Sequence, residues 1–358
     1  MTPEDFPLIL SFVHPEPPAE GRRILPVFLP FSGCRRICLF CNQEAQTGHR
    51  REAVPGALER AESRLRDLAA RGGAPLEAAF YGGTFTLLGQ RDFAACLTFV
   101  RRMRREGLIA GARCSTRPDA VAPPVPDLLR EAGFTCLELG IQSFSSSALK
   151  EAERGYTRET ALAACLRARR SGLALGIQLM PGMPGLDLSA AREDVALAAS
   201  LAPEAARLYP CLVLEGSGLA ALWREGGYVP WEEEETIAFL AEACLTFWAA
   251  GTRVIRLGLA PQEGLDAAVL AGPRHPALGS RVRGLALARF LEQRLQAAGF
   301  SPKTPPRLDL PRSRQGEFWG HRGELAARYA RLGIVRENVH WHEGEEFRLS
   351  FAATSGKR

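Results

Sequence analysis

The chain has 358 residues, 46% hydrophobic and 24% charged, the balance of a globular protein with room for one large domain or two ordinary ones. The net charge is +5, and Lys occurs only at Lys150, Lys303 and Lys357, so the basicity reads as an arginine-rich coding bias rather than a nucleic-acid signal. No apolar run of about 18 residues is present, which speaks against a transmembrane helix, and the acidic start Met1-Thr2-Pro3-Glu4-Asp5 is unlike a signal peptide.

Short apolar runs alternate with helical patterns over the first 213 residues. The expected strands are Ile24–Leu29, Glu77–Tyr81, Ala112–Ser115, Cys136–Ile141, Leu173–Leu179 and Ala206–Leu212. The helical stretches among them are Gly56–Ala70, Asp92–Arg105, Pro126–Ala132, Ser145–Glu151, Glu159–Ser171 and Leu188–Leu201. Arg101-Arg102-Met103-Arg104-Arg105 reads as a solvated helix face. Alternation of this kind means an α/β fold with a parallel sheet covered by helices. Six right-handed units curl into an open, partial (β/α)6 barrel, with its chemistry at the C-terminal ends of the strands. Beyond residue 213 the pattern predicts helices Gly218–Glu225 and Glu232–Trp248, the second opening on carboxylates that suit a helix N-terminus. A strand Arg253–Leu259 and a helix Leu278–Ala297 follow. Ser301–Gln315 reads as a loop, Glu324–Leu332 as a helix and Val339–Phe351 as a hairpin. His275 stands between two prolines, and His340 and His342 share one face of a strand; each suits a surface or satisfied structural role.

Nine cysteines are too few for a disulfide scaffold, and the number is odd, which with the acidic start points to a reducing, cytoplasmic compartment. Cys96, Cys114, Cys136, Cys165, Cys211 and Cys244 stand alone and read as buried, inert thiols. The other three crowd into Phe31-Ser32-Gly33-Cys34-Arg35-Arg36-Ile37-Cys38-Leu39-Phe40-Cys41-Asn42, just after the first strand. Structural zinc wants four closed ligands, and His49 is the candidate fourth, so a non-catalytic zinc protein stays open. Three thiolates on one loop also suit an iron–sulfur cluster with one iron left for another ligand.

This loop, with Phe40 just before its third cysteine, resembles that of the radical S-adenosylmethionine (radical SAM) superfamily. The resemblance implies that Cys34, Cys38 and Cys41 bind a [4Fe-4S] cluster. It also implies that SAM chelates the open iron and is cleaved reductively to a 5′-deoxyadenosyl radical, which abstracts hydrogen from a substrate. An electron donor such as flavodoxin or ferredoxin would be the partner.

Later motifs extend the likeness. Gly82-Gly83-Thr84 would meet the amino group of SAM, and Ser115 its ribose. Gly140-Ile141-Gln142-Ser143-Phe144 followed by Arg154-Gly155-Tyr156-Thr157 resembles the subgroup of the Elongator catalytic subunit and oxygen-independent coproporphyrinogen III oxidase. In that pattern Gln142 contacts the ribose and Arg154 the SAM carboxylate, a pairing that a guanidinium fork favours independently. Gln178 would line the adenosine side. Gly272-Pro273-Arg274-His275-Pro276 resembles the C-terminal extension of Elongator-like proteins.

Two departures matter. The residues beyond 300 are too few for an acetyltransferase domain, and Gln43 stands where coproporphyrinogen oxidases carry a further cysteine. The expected organisation is an N-terminal segment (1–21), a radical SAM partial barrel (22–213), an extension completing it (214–300) and a smaller α+β C-terminal segment (301–358). The expected function is a radical SAM enzyme acting on an unassigned substrate. RNA is suggested by the likeness and by Arg281, Arg283, Arg307, Arg312 and Arg314, and a tetrapyrrole- or haem-handling protein is the alternative.

Overall fold

The computed structural model describes residues 8–18, 23–50, 52–260, 264–301 and 305–351; the start Met1–Asp5, Lys303 and Lys357 lie outside the described residues. Two compact units emerge, one of residues 18–236 and 250–274, the other of 1–17, 237–249 and 275–358. In chain order the strands are β1 (Leu8–Val13), β2 (Ile24–Phe28), β3 (Leu76–Tyr81), β4 (Ile109–Thr116), β5 (Phe134–Gln142), β6 (Ala174–Leu179) and β7 (Ala205–Leu208). There follow β8 (Val213–Leu214), β9 (Arg253–Leu257), β10 (Val269–Ala271), β11 (Arg307–Pro311), β12 (Val339–His342) and β13 (Glu346–Phe351).

The first unit is built on a parallel sheet in the order β2-β3-β4-β5-β6-β7-β9, curled into an open partial barrel. All six expected strands are in it, and Arg253–Leu257 joins as a seventh beside β7. The expected strand Ala206–Leu212 stops at Leu208, because Pro210 has no N–H for a ladder. The run resumes as β8, which pairs antiparallel with β10.

Helix Val54–Ala70 shows how the barrel is covered. Val54, Ala57, Leu58, Ala61 and Leu65 recur at helical spacing and are all buried. Each leucine so buried contributes about 1.5–3 kcal/mol. Outside that stripe, Glu62 pairs with Arg102 and with Arg66 (2.7 Å), so part of the arginine run is an ion-paired surface network. Arg101, Arg104 and Arg105 are exposed, as the solvated-face reading expects. Facing the helices, the strands carry Leu25, Val27, Ala78, Phe80, Leu137 and Leu139, all buried. The alternate positions, which point the other way, carry Glu77, Arg113, Ser115, Glu138, Gln178 and Arg207.

The second unit holds a four-stranded sheet in the order β1-β13-β11-β12. Here the chain departs from three expectations. Ser301–Gln315 is not simply a loop: among its described residues Arg307–Pro311 forms β11, whose Leu308 and Leu310 are fully buried. Proline and arginine on either side obscure that short alternation. Val339–Phe351 is not a hairpin, because β11 lies between its two strands, parallel to β12 and antiparallel to β13. The expected helix Glu324–Leu332 shortens to Ala326–Ala330, with a 3-10 turn, His321–Gly323, just before the expected range. Leu8–Val13, placed by sequence in a separate N-terminal segment, pairs along its whole length with β13. Leu287, Leu291 and Leu295 of helix Leu278–Ala297 share one core with Leu308, Leu310, Phe318, Tyr329 and Phe347.

The histidines take structural roles: His275 Nδ1 accepts from Ala277 N (2.9 Å), His342 Nδ1 accepts from Gly344 N (3.0 Å), and His340 is exposed. All six isolated cysteines are buried, and burial pushes the thiols of Cys96 and Cys165 up to about 12, the behaviour of inert side chains. No helix among the described residues is long and apolar enough to cross a membrane.

Candidate active site

The three cysteines sit on the loop leaving β2, at the C-terminal end of the sheet. Two contacts hold that loop against the end of β3: Leu29 N donates to Tyr81 O (2.7 Å) and Thr84 N to Ser32 O (2.8 Å). Gly33 has φ +73° and lies so close to Thr84 that a Cβ would stand 2.3 Å from its carbonyl oxygen, so only glycine fits. The same holds for Gly83 (φ +63°), whose Cβ would meet Ser32 O at 2.1 Å. Gln43, which the sequence marked only as a missing cysteine, closes the joint. Its Oε1 accepts from Phe31 N (2.6 Å) and Gly83 N (2.8 Å). Asn42 caps the short helix Gln43–Thr47 through Ala45 N (3.1 Å) and donates to Glu215 O (2.7 Å).

All three thiols are half-buried, and those of Cys34 and Cys38 face the other motifs. Cys34 Sγ is 3.4 Å from Thr84 Oγ1. Cys38 Sγ accepts from Arg154 Nη1 (2.8 Å) and lies 3.5 Å from Arg117 Nη1. Burial, with Cys38 next to it, pushes the Cys41 thiol up to about 12. Arg154 is buried and heavily engaged: Nη2 donates to Gly140 O (2.6 Å), and Nε and Nη2 both reach Tyr156 Oη (3.1 and 3.0 Å). Tyr156 in turn donates to Ile141 O (2.6 Å). The strand-end motif and the Arg-Gly-Tyr-Thr motif are thus one unit, fastened to the middle cysteine.

At the end of β5 the ladder to β6 breaks register between Gly140 and Gln142. Gln142 there takes φ +67°, a left-handed conformation unusual for a side-chain-bearing residue. A bulge of this kind re-aims a side chain, and the Oε1 of Gln142 is buried without a hydrogen-bond partner.

Beneath these motifs runs a polar network that joins the expected Ser115 and Gln178 to residues with no role assigned from sequence. Glu138 accepts from Arg207 Nε (2.7 Å) and Gln178 Nε2 (3.1 Å), and lies 3.5 Å from Arg113. Gln178 also donates to Ser115 Oγ (3.1 Å), and Arg207 Nη2 to Tyr81 Oη (2.6 Å). Arg113 pairs with Glu77 (2.6 Å). Burial alone would push the Glu138 carboxyl up; the guanidinium of Arg207, then that of Arg113, outweighs it and holds Glu138 below the ordinary range. Burial, with Glu138 alongside, pushes the Tyr81 phenol up, so it keeps its proton. A signal was present in the sequence: Glu138 and Arg207 are charges set inside apolar strand runs.

The residues fit a cluster and SAM on two counts. Three thiols share a loop, and Gln142 has an unpaired buried acceptor. Among the described residues no three His, Cys, Asp or Glu side chains gather round a single ion, and His49 stacks on Phe28 instead (ring centroids 4.7 Å). A cluster needs no such gathering, since each cysteine binds a different iron.

The family model of the radical SAM superfamily matches residues 28–198, and that of the radical SAM C-terminal domain residues 203–285. The tRNA uridine(34) acetyltransferase of Methanocaldococcus jannaschii is 33% identical over 146 residues, 39% of this chain and 27% of that protein. Elongator complex protein 3 of Homo sapiens is 28% identical over 191 residues, 52% of this chain and 33% of that one. The chain therefore spans about a third or less of these relatives' length. The solved structure of the archaeal Methanocaldococcus infernus Elp3 shares the fold, with a TM-score of 0.57, 22% identity, and coverage of 76% of this chain and 63% of that one. With both family models matching in order along the chain, the chain belongs to the radical SAM superfamily, and is an enzyme whose cofactors are a [4Fe-4S] cluster and SAM.

Proposed function

We propose that the chain cleaves SAM reductively and uses the radical on RNA, with Cys34, Cys38 and Cys41 holding the cluster. The observation that carries this reading is the fastening of Cys34 to Thr84 and Cys38 to Arg154, which draws three separated motifs to one place. The bound cofactors supply a 5′-deoxyadenosyl radical able to abstract hydrogen. The protein's own residues bind, orient and exclude water. Gly82, Gly83 and Thr84 present strand-end backbone to the SAM amino group. Ser115, Gln142 and Gln178 offer hydroxyl and amide groups to its ribose and adenine side. Glu138 fixes the last of these by accepting from Gln178, which makes it a positioning residue.

Arg154 has a double place in this reading. Its guanidinium is matched to a carboxylate, yet it already serves Cys38, Gly140 and Tyr156. SAM binding would draw on a side chain already anchored within the site, and such preorganisation costs little ordering.

RNA as substrate class is supported by the relatives named above. It is not supported by the arginines the sequence offered. Arg281 pairs with Glu324, Arg283 with Glu16, Arg307 with Asp309, Arg312 with Glu343 and Arg314 with Glu317, so their charges are met within their own unit. A cytoplasmic setting follows from the need to keep such a cluster reduced and away from oxygen.

Anaerobic reconstitution tests the reading. A brown protein should form 5′-deoxyadenosine from SAM and reductant, faster with a tRNA pool, and its RNA affinity should fall steeply with salt. A colourless protein that forms none refutes the enzyme reading. SAM cleavage with a flat salt dependence refutes RNA, and a Soret band on haem titration would favour tetrapyrrole handling.

A further inference from the structure

We propose that the outward face of the cysteine loop, Arg35, Arg36 and Ile37, is the docking surface for a small acidic protein that carries single electrons. This rests on the reading of Cys34, Cys38 and Cys41 as cluster ligands. The three residues fill the gap between two of those cysteines, and all are exposed, Ile37 at 63%. Their neighbours face the other way: Cys34 Sγ turns to Thr84 and Cys38 Sγ to Arg154. The loop thus has a ligand side and a solvent side.

The solvent side is basic. Residues 31–42 contain Arg35 and Arg36 and no carboxylate. Among the described residues neither arginine makes an ion pair or hydrogen bond. The contrast with Arg281, Arg307 and Arg312, each beside its own carboxylate, is direct. Two unpaired guanidinium groups beside one large exposed apolar side chain make the charged rim and apolar centre of a protein interface. A polynucleotide would use the arginines but leave Ile37 in water. It must also bring a reacting atom into the barrel, whereas an electron has only to cross the loop. In the step itself the carrier is oxidised by one electron, which is taken up at the cysteine-held cluster. No bond forms or breaks at the interface and no proton moves.

The test uses the cluster-loaded chain and two reductants, a flavodoxin in its hydroquinone form and dithionite. Binding of flavodoxin to the unreduced protein is measured first, against salt. The expected result is an affinity that falls as salt rises and drops about tenfold or more in Arg35→Glu/Arg36→Glu. Arg35→Lys/Arg36→Lys should lose much less, and Ile37→Asp should bind poorly. Cluster bleaching by flavodoxin should slow in parallel, with bleaching by dithionite unchanged. Salt-independent binding by the unaltered chain overturns the proposal without any variant needing to fold. So does retained flavodoxin binding in the Glu variant, and loss of tRNA affinity in its place would assign the loop to polynucleotide. If neither reductant yields 5′-deoxyadenosine in the unaltered chain, the enzyme reading fails instead.

Discussion

The inward face of the barrel sheet carries Glu77, Arg113, Glu138 and Arg207, each hydrogen-bonded or ion-paired to another. The four-stranded sheet of the second unit buries Leu308, Leu310, Phe347 and Leu349 instead, and Phe318 stacks on Tyr329 with centroids 4.3 Å apart. Both are folded cores, but they answer to different rules. Apolar packing is non-directional and adapts to changes of shape. A buried charge network tolerates little, because removing one member leaves its partners desolvated and unpaired. A protein keeps such a network where precise placement is needed, and here it lies under the motifs that would hold SAM.

The comparison can be broken in order of expected effect. Replacing Cys34, Cys38 or Cys41 with Ala should abolish the visible absorbance of the cluster and all SAM cleavage, with circular dichroism unchanged. Retained cleavage in any one would remove that cysteine from the ligand set. Glu138→Leu removes the carboxylate that buried Arg207 pairs with and should cost about 3–5 kcal/mol in urea unfolding, whereas Glu138→Gln should cost less and mainly weaken SAM binding. Leu308→Ala in the second unit should cost about 2–5 kcal/mol while leaving SAM affinity alone. If it weakens SAM binding as much as Glu138→Gln does, the two cores are not separable.

The smallest effect is one of pH. Asp194 is buried, which raises its carboxyl from an ordinary 3.8 to about 6, against the hydrogen bonds it accepts from Ser143 Oγ (2.5 Å) and Phe144 N (2.8 Å). Folding favours the protonated form, so its contribution is complete below about pH 4 and is lost as pH rises through 6. Asp194→Asn should flatten that part of the stability profile, and an unchanged slope in thermal melts would count against this origin.

Much of this molecule was legible in its sequence, and the reasons are local. Strands Ile24–Phe28 through Ala174–Leu179 are apolar runs bounded by helices with clean periodicity, so both type and order could be read. The cysteines, Gly82-Gly83 and Gln142 all fall at strand ends, where turn chemistry leaves a visible mark. What escaped was non-local. Glu138 and Arg207 are 69 positions apart and meet only across β6. Strand β11 is five residues of Pro- and Arg-flanked chain whose identity depends on the partners either side of it. Leu8–Val13 becomes a strand only by pairing with the other end of the chain.

The joint made by Gln43 has a consequence for how the protein is charged with its metal. One amide oxygen ties Phe31 to Gly83, Asn42 ties the same loop to Glu215, and Leu219 N donates to Leu39 O (2.7 Å). A loose loop of this length would surrender about 1–2 kcal/mol of backbone freedom per residue on taking up a cluster. Here that entropy is already spent when the chain folds, so assembly begins from a receptacle of fixed shape, and Gln43→Ala should slow cluster loading before it alters the loaded enzyme.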